Sequence, residues 1–202
     1  MSHRTVQARE SAIATLTDLP ETAVTLAARR AVESVLPPPL YGHSIRTFLY
    51  GRAWARARSV AFDEEGLLVA SLFHDVGLCE PYKDTRRAFQ LNSSRALAEL
   101  LARCGVDRPR IDRLVDAVDY HFQPVPRWRY GSAAGLLHVG AYMDAVGLRR
   151  WQIGPESQVV RHAYPPHASS RTLFGLIARS VGGPRSCIGI FLPDLFDRGS
   201  FG

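Results

Sequence analysis

The stretch Ser71-Leu72-Phe73-His74-Asp75-Val76-Gly77-Leu78 constrains this chain more than any other. Asp63-Glu64-Glu65 opens a predicted helix that runs through Leu67, Leu68, Ala70 and Phe73, and Gly77 is its natural stop. That apolar helix runs straight into a histidine and an aspartate side by side. An imidazole and a carboxylate together supply one nitrogen and one oxygen donor, which is half of a first-row metal site. The remaining donors have to come from elsewhere in the chain.

Two residues are placed to supply them. His43 lies 31 residues before His74, and Asp144 lies 69 residues after Asp75. Each gap leaves room for at least one antiparallel helix, so donors on separate helices can converge in the middle of a bundle. Leu137, Gly140 and Ala141 share the helix face of Asp144, and the two small residues let the backbone approach an ion closely. Asp144 itself sits in an apolar helix, where an unpartnered carboxylate is costly. A metal site of His43, His74, Asp75 and Asp144 accounts for this pattern better than a chance His-Asp dipeptide. His138 is six residues before Asp144 and points to a different side of that helix, so it reads as a core or partly exposed histidine and not a ligand.

The remaining periodicities are helical throughout. A first helix starts near Asp18-Leu19-Pro20-Glu21 and ends at the Pro37-Pro38-Pro39 run. A second spans about 40–58, with His43, Arg46, Tyr50 and Trp54 along one stripe. Asn92-Ser93-Ser94 is expected to cap a helix ending at Gly105, and Asp107-Arg108-Pro109 to start another that ends near His121. Residues 123–130 read as a loop, and 132–146 as the helix that carries Asp144. No strand, repeat or low-complexity linker is evident. The expected class is all-α, a single compact helical bundle over residues 19–181, with an N-terminal extension (1–18) and a C-terminal tail (182–202).

Composition narrows the function classes. The net charge is +6, but Lys83 is the only lysine and the arginines are scattered rather than gathered, so no nucleic-acid surface is indicated. Cys79, Cys104 and Cys187 form neither a zinc motif nor a disulfide framework, which suits a reducing compartment. No signal-peptide core or membrane-spanning run is present, so a cytoplasmic protein acting on a small-molecule substrate is expected, and pairing of small bundles of this kind makes a homo-oligomer compatible with it.

The run from Leu36 to Arg52, containing His43-Ser44-Ile45-Arg46 and Tyr50-Gly51, resembles the HSxRxxxYG element of the cyanamide hydratase-like HD-domain proteins. Gly140 to Gly147 is similar to their GAxxDxxG element, and Val159 to Pro166 with Leu173-Phe174 resembles their last helix pair. The likeness extends from about Leu19 to Val181. It departs at Gly42, where a larger polar residue is usual, and at Pro166, where an arginine is expected. The resemblance implies an HD-domain bundle holding one divalent metal on His43, His74, Asp75 and Asp144, with zinc expected and Fe2+, Mn2+, Co2+ or Ni2+ as alternatives. It also implies attack of activated water on a small electrophile such as cyanamide. His121 is expected as an acid/base or substrate-contacting residue, with a purely structural histidine as the alternative, and Arg46 as the partner of a site carboxylate. The alternative is an HD-type phosphohydrolase, against which the uncharged Val76-Gly77-Leu78-Cys79 step counts.

Overall fold

The computed structural model describes residues 16–182, so nearly all of the expected extension and tail lies outside the described residues. Within them the chain forms eight α-helices, three short 3-10 turns and no strand. Helix α1 (Ala23–Glu33) starts later than expected, because Thr22 and Thr25 exchange side-chain and backbone bonds in a reciprocal cap. The proline run separates α1 from α2 (Pro38–Arg56) as expected, but Pro38 and Pro39 also form the first turn of α2, where a missing amide costs nothing.

Helix α3 (Glu64–Phe73) is capped by Asp63, whose carboxylate accepts from the Gly66 amide. Every residue from Gly66 to Phe73 is buried, as are all residues of α2 from His43 to Ala53. A helix that is enclosed all round has to lie at the centre of its bundle. Helix α3 stops at Phe73, with His74 as its cap, and Val76–Leu78 forms a 3-10 turn. Gly77 therefore does not terminate the helix. It is needed because a Cβ there would lie 2.1 Å from the Phe89 carbonyl oxygen.

Helix α4 (Phe89–Arg103) begins before Asn92-Ser93-Ser94, and these residues do not cap it. Ser93 Oγ accepts from the Gly77 amide at 2.9 Å and Asn92 Nδ2 donates to the Asp84 carbonyl at 2.9 Å. Their polar groups satisfy the segment after Asp75 rather than the helix's own first turn. Helix α5 (Arg108–Tyr120) is capped by Asp107, and α6 (Ser132–Val146) ends at Gly147, whose φ of +75° is the left-handed conformation glycine adopts readily. Helices α7 (Glu156–Ala163) and α8 (Ser169–Ser180) complete the bundle.

The most extensive helix–helix contact is between α2 and α6. Two glycines permit it. A Cβ on Gly140 would lie 2.0 Å from the Thr47 carbonyl oxygen, and one on Gly51 would lie 2.8 Å from that of Leu136. Gly140, one of the small residues on the face of Asp144, thus serves the approach of two backbones.

Candidate metal centre

Three imidazoles meet at the centre of the bundle, and each is held from behind by a hydrogen bond at Nδ1, two of them in the same way. His74 caps α3, and its Nδ1 lies 2.7 Å from the Ser71 carbonyl oxygen. His121 caps α5, and its Nδ1 lies 2.6 Å from the Val118 carbonyl oxygen. The last carbonyls of a helix lack intrahelical partners, so a histidine at the C-cap can donate to the one three residues back. Donation from Nδ1 fixes the tautomer and leaves Nε2 as a free acceptor facing inwards.

His43 sits in mid-helix, where the neighbouring carbonyls are already used. Its Nδ1 donates instead to Asp144 Oδ2, at 2.7 Å. Its Nε2 then lies 3.2 Å from His74 Nε2, and Asp75 Oδ2 is 3.5 Å and 3.2 Å from these two nitrogens. His43, His74 and Asp75 are all about 1% exposed or less, and Asp75 Oδ2 has no hydrogen-bond partner. Two inward-facing nitrogen lone pairs and an orphaned carboxylate oxygen, all buried, repel one another unless a cation lies among them. These three donors fit a divalent metal ion.

His121 stands one step further out, with Nε2 3.7 Å from Asp75 Oδ1 and its ring edge-on to His74 at 4.9 Å between centroids. Asp144 does not join the donor group, in contrast to the expectation from sequence. Arg46 donates from Nε to Asp144 Oδ1 at 2.6 Å and from Nη2 to Oδ2 at 2.8 Å, so both oxygens are engaged. Arg46 also reaches Ser169 Oγ at 2.7 Å and the carbonyls of Tyr164 and Pro165, and it is fully buried. A bidentate pair with every remaining donor used is the arrangement in which a buried guanidinium is tolerated. Gly42 belongs to the same arrangement, since a Cβ there would lie 3.0 Å from Arg46 Nη1.

Burial by itself would raise the Asp75 carboxyl, but His74, His121 and His43 around it hold it well below the usual carboxylate range. Asp144, likewise opposed by burial, is pulled down to about 2 by His43 and Arg46. Burial lowers His74, but the adjacent Asp75 charge outweighs it and the net shift is upwards. His121 is lowered, chiefly by burial. Cys79, next to the site in sequence, is pushed up to about 11 by burial and stays an inert thiol at neutral pH.

His138 is 1% exposed, bonded through Nδ1 to the His121 carbonyl at 3.0 Å and stacked on Tyr142. Burial lowers it to about 4 from the ordinary 6.5. The unfolded chain therefore takes up a proton there near pH 6.5 that the folded protein refuses until about pH 4. Its contribution to stability is complete above 6.5 and is lost as the pH falls through that window. His138→Gln is expected to remove about 2–3 kcal/mol of the stability lost between pH 7 and pH 4.5, read by urea denaturation at both values.

A cavity of about 180 Å³ opens onto the donor group. Beyond His43, His74, Asp75 and His121, its wall consists of Ala141, Tyr142, Ala145 and Val146 from α6, Leu173 and Phe174 from α8, and Phe122. The Tyr142 hydroxyl turns away to the Gln123 carbonyl at 3.0 Å, which leaves its ring as the surface.

A family model described as the HD domain matches residues 40–163, more than half of the chain. The chain belongs to the HD-domain family. No curated protein matches it. HD-domain proteins are metal-dependent hydrolases, and among the described residues the cluster of His43, His74 and Asp75 could hold their metal. Among the described residues no helix is long and apolar enough to cross a membrane. The sequence alone gave no sign that Asp144 lies behind His43, because helical spacing locates a face and not the partner that face meets.

Proposed function

We propose that this HD-domain protein is a metal-dependent hydratase or hydrolase that adds water to a small uncharged electrophile, cyanamide or a related nitrile-like compound. The observation that carries this reading is the cavity wall. Among the described residues that line it there is no lysine or arginine, and apart from the donor group and His121 every surface is aliphatic or aromatic. A phosphate ester would find no cationic side chain in that wall, so the bound ion alone would have to offset its charge, whereas an uncharged electrophile needs no further partner. The nearest buried guanidinium, Arg46, is fully committed to Asp144, Ser169 and two carbonyls. The volume suits a molecule well below drug size.

His43, His74 and Asp75 would hold the ion. A divalent cation, when bound, supplies Lewis acidity and makes water nucleophilic near neutral pH. The protein's own share is threefold. The apolar wall formed by Phe122, Val146, Leu173 and Phe174 excludes bulk water and confines the substrate against the donor group. Asp75 keeps its negative charge at the base of the cavity. His121 keeps Nε2 free by donating from Nδ1 to Val118, so it can take a proton from the attacking water and return it to the substrate nitrogen.

The test is a substrate panel on protein carrying one equivalent of zinc or cobalt. Hydration of cyanamide to urea, or of a small nitrile to its amide, is expected, with no turnover of nucleoside monophosphates. Efficient phosphate release with no activity on cyanamide or nitriles would reverse the reading in favour of a phosphohydrolase.

A further inference from the structure

We infer that Asp144 is a positioning residue for His43 and not a ligand of the metal, so that the ion is held by His43, His74 and Asp75 with its remaining positions turned towards the cavity. This rests on the metal-site reading above and assigns the residue at its rear.

The three imidazoles give the argument. His74 and His121 each use a backbone carbonyl as the acceptor for Nδ1, and in both the opposite nitrogen faces Asp75. His43 has no free carbonyl because it lies within α2, and Asp144 Oδ2 takes that place at 2.7 Å. Nδ1 and Nε2 lie on opposite edges of the ring. An oxygen bonded to Nδ1 therefore cannot also reach an ion bound at Nε2.

The position of Asp144 is fixed independently by Arg46, through both of its oxygens, and Arg46 is fixed by Ser169 and the chain before α8. Turning Asp144 towards the ion would break the His43 bond and at least one arm of the fork, and would leave a buried guanidinium short of acceptors. Asp75 Oδ2 is the contrast, since it is buried, unpartnered and close to both Nε2 atoms. The carboxylate that lacks a partner is the ligand, and the one that has three donors is the support. A carboxylate behind a ligating histidine sets its tautomer and raises its basicity, and losing it ordinarily weakens metal binding by about 10–100-fold without changing the ligand set.

The experiment compares Asp144→Asn with Asp75→Asn on the full chain, using cobalt as the probe. Affinity is measured by competition with a chromophoric chelator, and the ligand field from the visible spectrum. Asp144→Asn is expected to bind one equivalent about 10–100-fold more weakly, with the wild-type band positions and intensities, whereas Asp75→Asn alters or abolishes the spectrum. A changed ligand field or lost stoichiometry in Asp144→Asn, with the wild type binding normally, would overturn the assignment. So would wild-type affinity in Asp144→Asn, which would make the residue merely structural. A wild-type protein that binds no metal would sink both this inference and the reading it rests on.

If Asp144→Asn does not fold, the wild-type chain answers the question by nitrogen-15 NMR of its histidines. On adding zinc, His43 should keep its Nδ1 proton and the strongly deshielded resonance of a bond to carboxylate while Nε2 shifts. Loss of that resonance on metal binding would show Asp144 leaving His43 for the ion.

Discussion

His74→Ala and Asp75→Ala will each abolish stoichiometric metal binding, and with it catalytic turnover. The donors act as a chelating set in which removing one opens the shell and strands the others. A closed four-ligand zinc site is worth roughly 10–16 kcal/mol, so one ligand's share is about 3–4 kcal/mol, or two to three orders of magnitude in affinity. Metal added at 1,000 times its dissociation constant should stabilise the wild-type fold by about 4 kcal/mol, and the same addition should stabilise either variant by no more than about 0.4–1.4 kcal/mol. His121→Gln should separate from both. It is expected to keep the metal and the metal-dependent rise in melting temperature while slowing turnover by about 10²-fold or more. Metal content, melting temperature and rate on these three proteins check the assignment, and a variant lacking His74 or Asp75 that still binds one equivalent would refute it.

Gly140→Ala is the second large effect. Its added methyl would lie 2.0 Å from the Thr47 carbonyl oxygen and 3.1 Å from the Gly51 amide nitrogen. Both obstacles are backbone of a buried helix, so no side chain can swing aside and α2 and α6 must separate. Overpacking that side chains can absorb costs about 1–3 kcal/mol, and a collision with backbone should lie at or above the top of that range. For a chain of this length that is a fall in melting temperature of roughly 6–12 °C. Because α2 carries His43 and α6 carries Asp144, the same separation should weaken metal binding in whatever fraction folds. Gly175→Ala, which meets only the flexible end of Arg179 at 3.6 Å, is the control and should change little.

These features differ in how far they can be read from the chain. The all-α class, the His74-Asp75 pair at the end of a buried helix, and the caps at Asp63 and Asp107 were legible, because each is a local pattern of few residues. Asn92, Ser93 and Ser94 misled for a physical reason. Asn92 and Ser93 bond to backbone groups of the segment after Asp75 while Ser94 donates to Leu91 within its own helix, and a polar cluster looks the same whether it caps its own helix or serves another segment. Gly42 looked like a departure from its family pattern until Arg46 was seen to occupy the space beside it. Asp144 was rightly placed in the interior, but its role depends on which oxygen meets which nitrogen, and that is settled only when α2 and α6 are packed.

The cavity wall divides between helices in a way that bears on how such a protein could change its diet. The cation-binding residues come from α2 and the end of α3, whereas Val146 lies at the last turn of α6 and Phe174 on α8. Val146 and Phe174 are also among the more exposed large apolar side chains of the molecule, at 59% and 45%. They can be exchanged for larger, smaller or polar groups with little disturbance of the buried bundle or of the donor geometry. A library confined to positions 146 and 174 would therefore vary the exposed rim of the cavity while leaving the cation-binding residues and their buried supports, Asp144 and Ser169 among them, in place.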